Sequence, residues 1–304
     1  MRSAEKYEIL FDLPRGEMNQ TEVGAIRTKT IKAGDTLEVE CFPIVRIDAG
    51  ARREAIRRKS TAAQENLNIN NTRKKICRLL ENNFSEGDYG LHLTIDYGVY
   101  EHGRMNKREY IDRVEKSGLP TEDDGARKLI KNYLRRVKRE MKRRGQDPMA
   151  LKYLYVIESN GGGKKDDPDP MFEKYHFHAA ISAPGLDRND LERLWDAGYA
   201  NCDRLDFKHN GLQAFAKYIT KQRKAVRRWA RSRNLIEPVA TVSDRKISKR
   251  RAAMIAMDVN QFGREIFEKL YPGYRCTDDV RVRFSEFVQG AYIYARLRRR
   301  KEAR

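Results

Sequence analysis

Two histidines, His176 and His178, flank one phenylalanine in the run Tyr175-His176-Phe177-His178-Ala179-Ala180-Ile181. In an extended strand side chains alternate faces, so both imidazoles point one way while Phe177 and Ala179 point the other. Two neutral imidazoles side by side on a rigid strand can grip one divalent cation. A lone histidine there would read as a surface residue. This chain has only 5 His, and two of them share this spacing in an apolar strand, which favours a metal site.

A third ligand is expected from a neighbouring strand. Glu158 ends the run Lys152-Tyr153-Leu154-Tyr155-Val156-Ile157-Glu158-Ser159, which can pair antiparallel with the histidine strand. An exposed strand-end glutamate is the equal alternative. A carboxylate beside two imidazoles suits Mg²⁺ or Mn²⁺ more than structural zinc, because oxygen ligands favour hard ions. Further on, Leu212, Phe215 and Ile219 form the buried stripe of a helix expected from Asn210 or Gly211 to about residue 231. Tyr218 and Lys221 lie three apart, hence on one face of that helix. A tyrosine hydroxyl beside a metal-bound phosphate can act as a nucleophile. Its ordinary pKa is about 10, so it needs help from the cation or a base. Lys221 can hold the phosphate or stabilise the charge that develops on it. With 15 Tyr in the chain, each is ordinarily a core residue, and position matters more than identity. Arg227, Arg228, Arg231 and Arg233 interleave with Trp229, and Lys217 and Lys224 add to the same basic run. Such a run contacts backbone phosphates and can stack on an unpaired base. Trp229 itself reads as a core residue.

The whole composition points the same way. Lys and Arg number 63 against 44 Asp and Glu, a formal net charge of +19 over 304 residues. That excess attracts polyanions, nucleic acid first and anionic membrane second. No apolar run approaches the roughly 18 residues of a membrane span. No apolar core of a secretory signal follows Met1, so a soluble, cytoplasmic chain is expected. Cys41, Cys77, Cys202 and Cys276 lie far apart with no CxxC pair, and read as inert thiols in a reducing compartment.

The elements that must position these residues can be read in order. Residues 23–47 alternate around the turn Ala33-Gly34-Asp35 and predict a β-hairpin, placed as a docking or edge element. Residues 50–82 predict a helix that Ser60 can cap and that Asn66, Asn68, Asn70 and Asn71 can break in two. Tyr89 to Tyr97 reads as a strand, 106–116 as a short helix, and Asp124 to Arg144 as an amphipathic helix whose outer face is nearly all cationic. Asp187 caps a further short helix that Gly198 ends, and a strand follows from Ala200 to Phe207. Residues 244–304 read as two or three basic helices. The whole predicts an α+β fold, a central antiparallel sheet with flanking helices. Three regions are expected: an N-terminal hairpin and helical flank (1–85), an α+β domain that carries the candidate site (86–236) and a basic helical C-terminal region (237–304).

At this point the chain resembles the HUH endonuclease superfamily, above all the rolling-circle replication initiators (Rep) of phages, plasmids and integrated elements. Leu91-His92-Leu93-Thr94-Ile95-Asp96-Tyr97 resembles the first motif of that family, His176-Phe177-His178 its metal motif, and Tyr218-Ile219-Thr220-Lys221 its nucleophile motif. The approach from Gln64 to Asn83-Phe84 and the tail Arg227-Arg228-Trp229 to Arg233-Asn234-Leu235 are similar to initiators of low-GC Gram-positive phages and mobile elements. The resemblance covers about residues 20–240. It implies a nickase and ligase of a bacterial host cell, dependent on Mg²⁺ or Mn²⁺. Tyr218 attacks single-stranded origin DNA and keeps the 5′ phosphate, and a host polymerase extends the 3′ hydroxyl, with a host helicase as a further partner. His176, His178 and Glu158 hold the cation in that scheme and Lys221 assists. The chain departs from the family in two places: only one tyrosine sits well on the motif helix, and the Tyr–Lys gap is shorter than in some relatives. A P-loop is absent from the sequence, so no helicase is fused.

Two other readings compete. A relaxase or transposase would use the same chemistry on another DNA site. A non-catalytic protein that binds single-stranded nucleic acid would make His176, His178 and Tyr218 dispensable. The discriminator is whether Tyr218 lies beside the two histidines; Tyr175 and Tyr199 are the next candidates for the nucleophile.

Overall fold

The computed structural model describes residues 23–45, 61–98, 106–161, 173–207, 211–221, 229–284 and 290–300. Its elements are, in order, β1 (Val23–Ala33), β2 (Thr36–Val45), α1 (Thr61–Asn83), β3 (Tyr89–Ile95), α2 (Lys107–Lys116), α3 (Asp123–Arg143), β4 (Lys152–Gly161), β5 (Glu173–Ser182), α4 (Arg188–Arg193), β6 (Gly198–Arg204), α5 (Gln213–Ile219) and β7 (Trp229–Arg231). Then come β8 (Val239–Ser243), α6 (Lys249–Met257), a π-helical turn (Val259–Gly263), α7 (Arg264–Leu270), β9 (Tyr274–Cys276), β10 (Arg281–Phe284) and β11 (Ala291–Arg299). The fold is α+β with two antiparallel sheets, in two compact units. One runs Ile69–Lys208 with Leu212–Ile236; the other gathers the two ends of the chain, up to Asn68 and from Glu237 on.

The first unit is built on a five-stranded sheet in the order β6-β3-β5-β4-β7. Strand alternation gives it two faces. Leu91 and Leu93 of β3, Tyr155 and Ile157 of β4, and Phe177 and Ile181 of β5 pack with residues of α2, α3 and α4 in one core. Helix α3 seals that face with Ile130, Tyr133, Leu134, Val137 and Met141, all buried at helical spacing. Each such side chain contributes about 1.5–3 kcal/mol relative to exposure. The ends of α3 suit its dipole, with Asp123 and Asp124 in the first turn and Lys142 and Arg143 in the last. The opposite face carries Leu154, Val156 and Ala180, covered by Ile76, Leu79 and Leu80 of α1 and by Ala216 and Ile219 of α5. Gly90 lies beneath this cover, where an added Cβ would meet the Phe215 ring at 3.3 Å.

Several expectations need correction. The helix expected to reach residue 231 ends at Ile219, and Trp229–Arg231 pairs as a strand with β4. An open strand edge outweighs local helix preference there. Gly198 opens β6 and does not end a helix. Its φ is 147° and a Cβ would stand 2.4 Å from the Thr94 carbonyl, so the approach to β3 requires glycine. Helix α1 is continuous through its asparagines. Ser60, residues 162–172, and Lys224, Arg227 and Arg228 lie outside the described residues.

In the second unit the N-terminal hairpin is central, not an edge, in the order β10-β11-β2-β1-β8. The C-terminal region is not helical throughout: β8 to β11 share it with α6 and α7. Alternation decides this, since Ala291, Ile293, Ala295 and Leu297 are buried on one side of β11. Arg296 pairs in register with Glu38 of β2, and their side chains form a buried ion pair at 3.3 Å. Strands from 23–45 and from 239–299 thus share one sheet. All four cysteines are free and buried, and burial lifts the thiols of Cys41 and Cys202 to about 12. Among the described residues no helix is long and apolar enough to cross a membrane.

Candidate metal centre

The site forms where three neighbouring strands present polar side chains on the face that α1 and α5 cover. In β5, His176 and His178 share that face with Ala180, and Phe177 lies on the other, as the alternation requires. Register supplies the neighbours. His178 pairs with His92 of β3 on one side and Val156 of β4 on the other. His176 pairs with Thr94 and with Glu158. Directly paired residues lie on one face of the sheet, so His92, His176, His178 and Glu158 converge.

The geometry is that of a cation site. One nitrogen from each of His92, His176 and His178 lies within 4.8 Å of the other two. His92 and His178 stack at 4.5 Å between ring centroids. Glu158 Oε2 stands 3.0 Å from His176 Nε2 and 3.5 Å from His178 Nε2. Burial pushes the Glu158 carboxyl up, but hydrogen bonds from His176 and His178 outweigh it and hold it at about 2. It is therefore a carboxylate, which can accept a hydrogen bond or ligate a cation. Its second oxygen, Oε1, is buried with no hydrogen-bond partner. An orphaned buried carboxylate oxygen is costly, and a bound cation would relieve it. The His92 imidazole is held below its ordinary pKa by burial and by His178 and His176, which favours the neutral, ligating form. The residues present fit a divalent metal ion.

His92 is the candidate ligand that the paired-histidine spacing does not announce. Its signal was a third histidine in an apolar strand, alternating with Leu91 and Leu93; only the register of β3 on β5 puts it opposite His178.

Tyr218 stands over this cluster. Its ring centroid is 4.9 Å from that of His178, with the planes 76° apart, and the side chain is 56% exposed. The helix beneath is short, seven residues, and is held at both ends by α1. Glu81 accepts from the Leu212 N–H at 2.7 Å, while Arg73 donates to the carbonyls of Thr220, at 2.8 and 3.0 Å, and Lys221, at 3.2 Å. A carboxylate at its start and a guanidinium at its end both suit the dipole of α5.

The other expected residues distribute as follows. Lys217 and Lys221 are exposed on and just after α5. Trp229 packs half-buried against the core under α1, as read, with Lys75 Nζ 6.0 Å from its ring centroid. Arg231 is half-buried in β7 and Arg233 is exposed beyond it. Tyr175 is excluded as a nucleophile, since it lies with Phe177 on the opposite face, 3% exposed, with its hydroxyl on Asp123. Tyr199 pairs with Thr94, so it shares the metal face at the outer strand, and it is 72% exposed.

Compared with protein-family models, with curated proteins and with solved structures, the chain matches none.

Proposed function

We propose that this chain is a metal-dependent nickase and ligase of single-stranded DNA that works through a covalent 5′-phosphotyrosine and initiates rolling-circle replication of a phage, plasmid or integrated element. The observation that carries the reading is the Tyr218 ring, 4.9 Å from a histidine of a cluster able to hold a cation. A core tyrosine would have no reason to be exposed there. His92, His176 and His178 would hold the ion, with Glu158 completing the donor set. Three nitrogens beside one carboxylate favour Mn²⁺ over Mg²⁺, whose ligands are nearly all oxygen. Bound there, the ion would supply Lewis-acid polarisation of the scissile phosphate.

The chain's own residues do the rest. Tyr218 Oη forms a bond to phosphorus as the bond from phosphorus to the 3′ oxygen breaks. The phenolic proton ends on the departing oxygen, which leaves as a 3′ hydroxyl that a host polymerase can extend. The reverse step rejoins the ends, because the phosphotyrosine conserves the phosphodiester's energy. Arg73 and Glu81 fix the helix that carries the nucleophile. Lys221, at the end of that helix, neutralises charge on the phosphate. A relaxase or transposase would share each of these steps and differ in its DNA site.

The test uses labelled single-stranded oligonucleotides from the element's own origin with Mn²⁺. A covalent protein–DNA adduct on a denaturing gel is expected from the wild type and not from Tyr218→Phe or in the presence of a chelator. An adduct that persists in Tyr218→Phe would move the nucleophile to Tyr199. No adduct from the wild type on origin DNA would leave a binding protein.

A further inference from the structure

Helix α3 covers the side of the sheet away from the metal centre, and its outer surface has no part in the chemistry above. Lys128, Lys131, Arg135, Lys138 and Lys142 follow one another at intervals of three, four, three and four residues, so they form one row along the helix. At about 1.5 Å per residue the row is about 21 Å long. Four of the five are exposed and Lys138 is half-buried. Asp124, four residues before Lys128, stands at the N-terminal end of the row, and the five positions after it are all cationic. Asp123 and Asp124 sit in the first turn, and Glu140 is buried and turned to Arg143 and Arg144. Arg135 Nη1 donates to Asn132 at 2.9 Å, which steadies one cation of the row beside a shallow recess.

Such a row calls for a line of negative charge, and two details narrow which one. The apolar stripe of α3 is turned to the sheet, with Ile130, Tyr133, Val137 and Met141 at most 1% exposed and Leu129 packed partly buried against the same core, so no apolar face is left to insert into a lipid surface. The helix's one aromatic residue, Tyr133, is among them. A single strand is held by stacking of its unpaired bases, and the row offers no ring for that. A duplex presents only its phosphates to a binder that does not read bases. We infer that the outer face of α3 is a second DNA surface, which grips the phosphate backbone of double-stranded DNA while the opposite face of the same unit works on a single strand. The inference rests on the proposed nuclease reading for the identity of the polyanion. A replication initiator meets both forms of DNA at an origin, since the nicked strand must be unpaired while its flanks remain duplex.

The experiment measures binding of the full chain to a short blunt duplex of arbitrary sequence across a salt series. Each neutralised phosphate contributes about 0.9 to the slope of log K against log salt. Lys131→Ala/Arg135→Ala/Lys138→Ala is expected to lower that slope by about 2 to 3, as three lost contacts require, and to weaken binding at low salt at least tenfold. Alanine is the best helix former, so α3 should survive the substitutions; the corresponding Gln variant, which keeps side-chain bulk, should behave alike. Lys249→Ala/Arg250→Ala/Arg251→Ala removes the same charge from exposed positions of the other unit and is expected to leave the slope unchanged. An equal loss in both variants would mean diffuse attraction to net charge and would overturn the inference. So would an unchanged slope in the α3 variant, or binding that appears on phosphatidylserine vesicles and not on duplex. The nuclease reading has its own readout, the covalent adduct. A missing adduct with the α3 effect intact removes the nuclease and keeps the surface, and the reverse result removes the surface alone.

Discussion

Without its imidazole, His92 would leave two histidines and a carboxylate around the cation, with the β3 side open to water. His92→Ala is therefore expected to weaken Mn²⁺ binding by ~100-fold or more, since even residues that only support metal ligands are worth ~10–100-fold. Titration calorimetry measures this, and a change below about threefold would remove His92 from the donor set. Tyr199 allows a second test on the same face. Register places it two strands from His176, roughly 10 Å away at the spacing of sheet strands, with an exposed ring suited to a base next to the reacting phosphate. Tyr199→Ala should weaken single-strand binding by about 1–3 kcal/mol, the range for one stacked base, while Tyr199→Phe keeps the ring and should bind nearly as the wild type does. Equal weakening in both variants would point to the hydroxyl instead. Much of this centre was legible in the sequence, because period two fixes His176 and His178 to one face and Glu158 stood at the end of the neighbouring strand. The placement of His92 and Tyr199 beside them was not, because no local pattern states which residue of β3 or β6 pairs with which of its neighbour.

The element that places Tyr218 is α5, and seven residues are too few to hold a helix by themselves. In the proposed reaction Arg73 is a positioning residue: it binds the carbonyls at the end of the helix that carries Tyr218. Arg73→Ala removes charge-assisted hydrogen bonds to two carbonyls and is expected to cost about 1–2 kcal/mol of stability. It should also slow adduct formation while Mn²⁺ affinity stays at the wild-type value. Parallel loss of both would mean a general collapse and not a misplaced helix. A second junction, where Glu140 of α3 meets Arg143, Arg144 and Arg193 of α4, contributes to the acid stability of the unit. Hydrogen bonding to Arg143, opposed by burial and helped by Arg144, lowers the Glu140 carboxyl to about 2. A folded pKa below the unfolded value means the contribution is complete above about pH 4.5 and is lost as pH falls towards 2. Glu140→Gln should flatten the fall of melting temperature across that window and leave the neutral-pH curve with only a fixed offset. An unchanged acid limb would show that other carboxylates carry it. Helix α3 and the capping of α4 by Asp187 could be read from the chain alone, since apolar spacing and caps are local. Strand β7 could not, because Trp229-Ala230-Arg231 becomes a strand only when the open edge of β4 is there to pair with it.

At the scale of the whole chain, the metal centre belongs entirely to residues of one unit, while the other unit joins sequence more than 250 positions apart. Strand β11 lies between β10 and β2, and its Arg296 meets Glu38 with both side chains buried. The sequence hid this because its basic ending, read by composition, resembles a solvated helix; only the alternation of Ile293, Ala295 and Leu297 marks a strand, and its partner is distant. The division has a direct consequence. A chain cut to residues 69–236 retains all four residues of the centre, Tyr218 and both residues that anchor α5, so it should fold and bind Mn²⁺ with the affinity of the full chain. A chain ending before Ala291 loses four buried apolar residues, Ala291, Ile293, Ala295 and Leu297, and leaves Glu38 without the Arg296 cation, and breaking one such buried pair alone costs about 3–5 kcal/mol. It should therefore lose the unfolding transition of the second unit while keeping Mn²⁺ binding. Calorimetric melts of the full chain and both truncations, each with and without Mn²⁺, separate the two effects, because only the transition of the unit that binds the ion should move up with it. A single transition in the full chain, joined to loss of Mn²⁺ binding in the 69–236 chain, would show instead that the site depends on the ends of the chain, and the centre would then have to be sought as a property of the whole protein.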